Sequence, residues 1–144
     1  MTQNEISAIL KSAKNIAVVG LSPEPQKHSF KVSLYLKHHG YRIIPINPLA
    51  SEILGEKSYK NLLSIPEGLQ KIIDIVDIFR KPEDVPSIVE QAIQIKTKFG
   101  RAFVVWMQLG IINQQAAEAA RKAGLVVVMN QCLMVEHHNA LCGT

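Results

Sequence analysis

Five short apolar runs constrain the fold of this chain more than any other feature of its sequence. Each run is dominated by Ile, Val and Phe, without the alternation of apolar and polar residues that marks a strand with one face in water. Strands of this kind are buried on both faces, as in a parallel sheet enclosed between two helix layers. The runs predict strands over residues 16–19, 42–46, 72–79, 102–106 and 125–129.

Helical patterns lie between these runs. They predict helices over residues 4–13, 29–39, 82–98, 113–123 and 131–141, with an irregular segment over 49–60 and a short helical piece near 61–63. Parallel strands joined through helices cross over with the right hand. The sequence therefore predicts a Rossmann-like, doubly wound α/β fold, in which about five parallel strands carry helices on both faces. We expect one domain over residues 1–144.

Composition and charge exclude several classes of protein. The 144 residues are 47% hydrophobic and 19% charged, which is typical of a compact domain and not of a disordered chain. No apolar run is long enough to span a membrane and the N-terminus lacks a signal-peptide pattern, so we expect a cytoplasmic protein. Two cysteines provide no disulfide framework. The net charge of +4 is modest, and the chain has no Lys- or Arg-rich run that would favour nucleic acid.

The first predicted strand is followed by a loop suited to phosphate. The apolar run stops at Gly20, a loop with two prolines follows, and a helix starts near Ser29. Glycine allows a tight turn, and the start of a helix leaves N–H groups free for an anion. Gly20, Ser22, Pro23 and Lys27 are therefore candidate contacts, although Lys27 is equally well explained as a solvated lysine. The loop lacks the further glycines of a dinucleotide fingerprint and the Gly-Lys-Ser/Thr ending of a P-loop.

Ligands of such sheets bind outside the carboxyl ends of the strands, so the residues that follow the other strands are candidates as well. Cations and amides suit phosphates and polar groups of a nucleotide, and aromatic rings suit its base. The simpler alternatives are a strand stop at Asn47-Pro48 and core positions for Phe79 and Trp106. The candidates in this group are Asn47, Pro48, Phe79, Arg80, Lys81, Trp106, Gln108, Gly110 and Cys132.

Several of these segments resemble a known family when they are taken in order. Residues 20–29 (GLSPEPQKHS), 45–48 (PINP), 76–83 (VDIFRKPE), 105–111 (VWMQLGI) and 132–137 (CLMVEH) are similar to the small stand-alone coenzyme A-binding proteins of bacteria and archaea. Those proteins resemble the CoA-binding domain of the succinyl-CoA synthetase α subunit. The resemblance covers nearly the whole chain and implies CoA or an acyl-CoA as the small-molecule ligand. The chain departs from the pattern at Gln131, where a basic residue is expected.

Cys132 and the histidines allow more than one interpretation. A thiol at a helix N-terminus can be reactive, but catalysis also needs a base within reach, and the sequence shows none. An ordinary, partly buried thiol is favoured, with a mixed disulfide to CoA as the alternative. Glu136, His137 and His138 are interpreted as a solvated helix end and not as a metal site, because adjacent histidines on a helix diverge by about 100°. His38 and His39 are interpreted as cations at a helix C-terminus.

The sequence therefore predicts a CoA-binding protein without catalytic machinery of its own, since it shows no catalytic residues and no metal ligands. Two alternatives remain open. An NAD(P)-dependent oxidoreductase requires further glycines after the first strand and an acidic residue after the second, where this chain has Asn47-Pro48. A thiol-dependent acyl-transfer or redox enzyme would use Cys132. The sequence makes no prediction about protein partners.

Overall fold

The structure, a computed structural model, describes residues 1–142. Seven strands and six α-helices alternate along these residues, together with two 3₁₀ turns at Leu62–Ser64 and Pro82–Asp84. In chain order the elements are α1 (Gln3–Ser12), β1 (Asn15–Val19), α2 (His28–His38), β2 (Arg42–Ile46), β3 (Glu52–Ile53), β4 (Glu56–Lys57), α3 (Glu67–Gln70), β5 (Ile75–Ile78), α4 (Val85–Phe99), β6 (Val104–Met107), α5 (Gln114–Lys122), β7 (Val126–Met129) and α6 (Leu133–Cys142).

Five of the strands form one sheet in the order β2-β1-β5-β6-β7. Every neighbouring pair in it is parallel, with Val19 opposite Ile46 on one side of β1 and opposite Ile78 on the other. The predicted Rossmann-like parallel sheet is therefore confirmed. The strand order reverses at β1, because β2 lies on one side of it and β5, β6 and β7 lie on the other. Open α/β sheets bind ligands at this reversal, outside the carboxyl ends of the strands.

Two apolar cores lie on opposite faces of the sheet. Helices α4 and α5 cover one face, where Val89, Ala92 and Ala117 are buried against strand residues such as Val105. Helices α1, α2 and α6 cover the other face, where Leu10, Leu36 and Leu133 pack on the sheet around Trp106. Successive strand residues face different cores, and both cores exclude water. The strands are therefore continuous apolar runs in the sequence.

Local signals explain several element boundaries. Thr2 and Glu5 form a reciprocal capping box at the start of α1, with the Glu5 N–H donating to the Thr2 hydroxyl over 3.2 Å. Helix α4 ends at Gly100, which has a φ of 65° and so adopts the left-handed conformation common at helix ends. Among the described residues no helix is long and apolar enough to cross a membrane.

The segment over 49–60, predicted to be irregular, contains a small antiparallel hairpin of β3 and β4. Its two-residue turn is Leu54-Gly55, with φ values of 57° and 76°. Two successive positive φ values are typical of the primed turns that match the twist of a hairpin. The prediction missed the hairpin because leucine is an unusual residue at the first of these positions, and the strands have only two residues each.

His137 corrects the prediction of a solvated end for the last helix. Its side chain is only 8% exposed and its ring packs edge-on against Tyr35, His39 and Tyr41. The Tyr35 hydroxyl and His137 Nδ1 are 2.9 Å apart. Burial lowers the pKa of His137, and the neighbouring His39 and His138 lower it further. The middle of α6 is therefore packed against α2 and Tyr41, which the sequence pattern did not show.

Candidate functional site

A cleft of about 420 Å³ opens at the point where the strand order reverses. The loops after β1, β2 and β5 form its floor and one wall, the segment around Lys60 forms another, and the start of α4 closes it. The cleft contains two cations and two carboxylates, and Val19, Ile46 and Ile88 provide apolar surface. The polar lining residues are Ser22, Asn47, Lys60, Asn61, Arg80, Glu83, Asp84, Ser87 and Gln91.

Gly20 turns the chain sharply at the end of β1. Its φ is 89°, and its N–H donates to the backbone oxygen of Ile46 over 2.9 Å. A Cβ at this position would lie 2.5 Å from the backbone oxygen of Phe79, closer than any side-chain carbon can approach. The predicted glycine turn is therefore confirmed, with a reason that the sequence did not show. The loop after β1 lies directly against the end of β5, and this contact forms the floor of the cleft.

The rest of the loop after β1 is held by hydrogen bonds to two other segments. The Ser22 N–H donates to the Ser29 hydroxyl over 3.0 Å, which ties the loop to the first turn of α2. The Asn47 side-chain amide donates to the backbone oxygen of Leu21 over 3.0 Å, and its oxygen accepts the Leu49 N–H over 2.8 Å. Asn47 thereby fixes the loops after β1 and β2 relative to each other.

Two features at the β1–α2 and β5–α4 connections favour an anion. Lys27 precedes α2 and makes no side-chain hydrogen bond to the helix, so the N–H groups of the first turn keep their capacity for an external acceptor. Arg80 lines the cleft and pairs with Asp84 over 3.1 Å, with the two side chains 49% and 39% exposed. An ion pair this exposed contributes little stability, so the guanidinium can exchange Asp84 for a phosphate.

The structure brings five predicted site residues together in the lining of the cleft: Gly20, Ser22, Asn47, Pro48 and Arg80. The other eight lie outside that lining. Pro23, Lys27 and Lys81 are exposed on the loops that flank it, and Gly110 is exposed beyond β6. Their contacts with a ligand stay predictions.

Trp106 and Gln108 lie beneath the surface, although the sequence analysis placed both among the candidate ligand contacts that follow the strands. The Trp106 ring is fully buried, and its Nε1–H donates to the backbone oxygen of Gln131 over 2.8 Å. The Gln108 side chain is 1% exposed because it reaches back along the sheet to Asp77, where its Nε2 donates to the carboxylate over 2.8 Å. Trp106 is therefore a core residue, as the simpler of its two interpretations predicted.

Asp77 is the unexpected member of this buried pair. It stands in the apolar run of β5 and is completely buried, and burial raises the pKa of its carboxyl to about 8, against a smaller opposing effect of the Gln108 hydrogen bond. Asp77 Oδ2 and Gln108 Oε1 have no hydrogen-bond partner within residues 1–142. Asp77 is one of two aspartates in the apolar run predicted as a strand over residues 72–79, and the sequence analysis assigned it no role.

A second group of polar side chains lies at the same edge of the sheet, on the face covered by α2 and α6. Cys132, 6% exposed, immediately precedes α6, and its Sγ is 3.7 Å from Nε2 of His28, the first residue of α2. The His28 ring meets the Phe79 ring edge-on at a centroid distance of 6.0 Å. Phe79 directly precedes Arg80 of the cleft, so this group continues the cleft along the strand ends. The sequence analysis missed His28 because 104 residues separate it from Cys132.

Further cleft residues were also missed, among them Lys60, Asn61, Ser87 and Gln91. Ser87 and Gln91 are four residues apart on α4 and therefore share one face of it. Lys60 and Asn61 come from the segment after β4, and only the tertiary structure brings that segment to the cleft. Within residues 1–142 no group of three His, Cys, Asp or Glu side chains is arranged to hold a metal ion.

Several known proteins are similar to this chain over most of its length. A family model described as a CoA binding domain matches residues 14–138. An uncharacterised protein, YneT of Bacillus subtilis (strain 168), is 38% identical over 133 residues, which are 92% of either chain. Acetate–CoA ligase (ADP-forming) I of Archaeoglobus fulgidus is 29% identical over 124 residues, which cover 83% of this chain but 18% of the ligase.

The fold is similar to solved structures over almost its whole length. A hypothetical protein from Pyrococcus horikoshii OT3 superposes with a TM-score of 0.87 and is 41% identical, covering 98% of this chain and 93% of its own.

Proposed function

Because the chain belongs to the family of CoA binding domains, we propose that it binds coenzyme A or an acyl-CoA at the carboxyl ends of its strands, without catalytic machinery of its own. The observation that carries this proposal is the cleft at the reversal of strand order. It combines Arg80 and Lys60, which suit phosphates, with apolar walls, which suit a base and a pantetheine arm.

We assign the nucleotide part of CoA to the cleft itself. Its phosphates would lie between the loop of Gly20 and Ser22 and the Arg80 guanidinium, with Lys60 as a second cation in the lining. The Asp84 carboxylate, once released from Arg80, is a suitable acceptor for ribose hydroxyls, as acidic residues are in other nucleotide sites on such sheets.

We assign the pantetheine arm to the strand ends between the cleft and Cys132. Strands β1, β5, β6 and β7 are consecutive in the sheet, so about 14 Å separates the end of β1 from the end of β7. Pantetheine contains roughly four residue-lengths of extended chain, which also span about 14 Å. An arm that starts at the cleft and passes Phe79 would therefore bring the CoA thiol near Cys132.

Two considerations support binding without catalysis. The ionisable groups of the cleft are an exposed ion pair, one further lysine and one further carboxylate, and they contain no pair in which a base contacts a nucleophile. The matched region is less than a fifth of the acetate–CoA ligase, so the ligase reaction is not transferred to this chain. The imidazole of His28 lies beside Cys132, and this observation favours one alternative, a thiol-dependent function.

Calorimetry with CoA, ATP and NAD tests the proposal. We expect CoA to bind more tightly than either of the others, because only CoA occupies both the cleft and the strand ends. Arg80→Ala should weaken CoA binding. Arg121→Ala is the matched control, since Arg121 is an exposed arginine in the last turn of α5, at the far end of that helix from the strand ends. Tighter binding of NAD than of CoA would refute the proposal and favour an oxidoreductase.

A further inference from the structure

Cys132 and His28 form a thiol–imidazole pair that the binding function leaves unused. The pair joins two helix N-termini, because His28 is the first residue of α2 and Cys132 immediately precedes α6. The Glu136 N–H donates to the backbone oxygen of Cys132 over 2.9 Å, so Cys132 holds the N-cap position of α6. Cys132 therefore lies at the N-terminal end of α6, and the imidazole that contacts its sulfur comes from the N-terminal end of α2.

The pair is also next to an unsatisfied polar group. The Gln131 N–H donates to the backbone oxygen of Met107 over 3.3 Å, which places Cys132 beside the end of β6, where Gln108 follows. The side-chain oxygen of Gln108 is buried and accepts no hydrogen bond within residues 1–142. The site therefore offers a thiol and a base along the path assigned to the pantetheine arm, whereas the Gln108 side chain lies beneath the surface beside Asp77.

We propose that Cys132 and His28 form a thiol–disulfide exchange site, at which the protein takes one half of CoA disulfide and holds it as a mixed disulfide. This proposal rests on the proposed CoA binding and adds a covalent, redox-dependent state to it. The pair makes bound CoA sensitive to the balance of thiols and disulfides around the protein.

The exchange balances in atoms and electrons. His28 Nε2 accepts the proton of the Cys132 thiol, and the thiolate attacks one sulfur of CoA disulfide. The bond between the two CoA sulfurs breaks as the bond from Cys132 Sγ forms, and the released CoA thiolate takes a proton from the imidazolium. The products are the protein–CoA mixed disulfide and one CoA thiol, so the disulfide itself is the oxidant and no other is required. A second thiol reverses the reaction by the same route.

The chain contains its own matched control. Cys142 Sγ is also 3.7 Å from a histidine nitrogen, Nε2 of His138. That pair is exposed and lies at the opposite end of α6 from Cys132. If an imidazole at this distance were sufficient, both cysteines would react alike. The proposal predicts that only Cys132 forms the adduct.

Intact-mass spectrometry after incubation with CoA disulfide at pH 7 tests this. The wild type and Cys142→Ser should each gain one CoA mass, which dithiothreitol removes, and Cys132→Ser should gain none. Peptide mapping of the wild-type adduct gives the same answer without relying on the fold of a variant. An adduct on Cys142 alone, equal labelling of both cysteines, or no adduct on the wild type would overturn the proposal.

The role of His28 is tested by rate. His28→Ala should slow adduct formation at pH 7 by about 100-fold, the size of a general-base effect, while His138→Ala should leave the rate unchanged. The difference in rate between His28→Ala and wild type should shrink as pH rises, because at higher pH a thiol loses its proton without an imidazole. If the ratio of the two rates is the same at every pH, His28 acts only through packing, and its role as a base is refuted.

Pantethine, the disulfide that lacks the nucleotide, separates this proposal from the binding function. Faster reaction of Cys132 with CoA disulfide than with pantethine supports both proposals. If reduced CoA binds in calorimetry but no adduct forms, the exchange proposal fails and CoA binding stands. If Cys132 reacts equally with both disulfides and reduced CoA does not bind, CoA binding fails, and with it the assignment of this thiol to CoA.

Discussion

Replacing Asp77 with asparagine should stabilise the protein, and the gain should grow with pH. The carboxyl is fully buried on β5, and burial raises its pKa from 3.8 to about 8. Asparagine has nearly the same shape and can keep the 2.8 Å hydrogen bond with Gln108, but it does not titrate. The Asp77→Asn variant therefore removes the ionisation and little else.

The sign follows from the protons bound by each state. Below pH 4 the carboxyl is protonated in the folded and the unfolded chain, and its ionisation costs nothing. Between pH 4 and 8 the unfolded chain loses the proton while the folded chain keeps it, so the free energy of unfolding falls by about 1.4 kcal/mol per pH unit. At pH 7 the cost is about 4 kcal/mol, and above pH 8 it stops growing.

Urea denaturation of wild type and Asp77→Asn at pH 5, 6 and 7 measures this cost. The stability difference between the two proteins should increase by about 3 kcal/mol from pH 5 to pH 7, and this increase cancels any pH-independent change in packing. A difference that does not change with pH would refute the assignment of a neutral carboxyl to Asp77.

Asp74 provides a control of opposite sign. Burial alone would raise the pKa of its carboxyl, but hydrogen bonds from the Lys14 and Asn15 N–H groups and from Arg101 lower it overall. The stability that Asp74 contributes is present above its unfolded pKa and is lost as pH falls. Asp74→Asn should therefore be destabilised relative to wild type at neutral pH, and the gap should narrow in acid.

Three further predictions concern the cleft and the α2–α6 junction. Arg80→Ala should lose roughly 1.5–3 kcal/mol of CoA affinity, or about one to two decades in Kd, with unchanged unfolding, because the lost contact is charge-assisted; an unchanged Kd would place Arg80 outside the site. Gly20→Ala should lower stability by more than the ~1–2 kcal/mol of a left-handed conformation, since its Cβ would also meet the Phe79 oxygen, and a melting temperature equal to wild type would contradict this. Burial lowers the pKa of His137, so the free energy of unfolding should fall as pH drops from 6.5 towards the folded-state pKa. His137→Gln should weaken this pH dependence, and equal acid sensitivity of the two proteins would argue against a buried neutral His137.

Local patterns in the sequence were sufficient for the class of fold. Continuous apolar runs predicted strands buried on both faces, and the glycine that ends the first run predicted the turn at Gly20. These inferences succeed because each depends on neighbours within a few residues along the chain. Reading the residues after each strand also identified Arg80 and Asn47 as cleft residues, because the carboxyl ends of parallel strands meet at one edge whatever their order.

Tertiary structure decided which of these residues meet and how deeply they are buried. The order β2-β1-β5-β6-β7 sets the cleft beside β1, and no local pattern encodes that order. Gln108 follows its strand as predicted, yet it is buried because its partner is Asp77, 31 residues away. His28 and Cys132 become a pair only because α2 and α6 pack on the same face of the sheet. Burial and long-range pairing arise from the packing of whole elements, so a sequence pattern names the residues and the packing determines their chemistry.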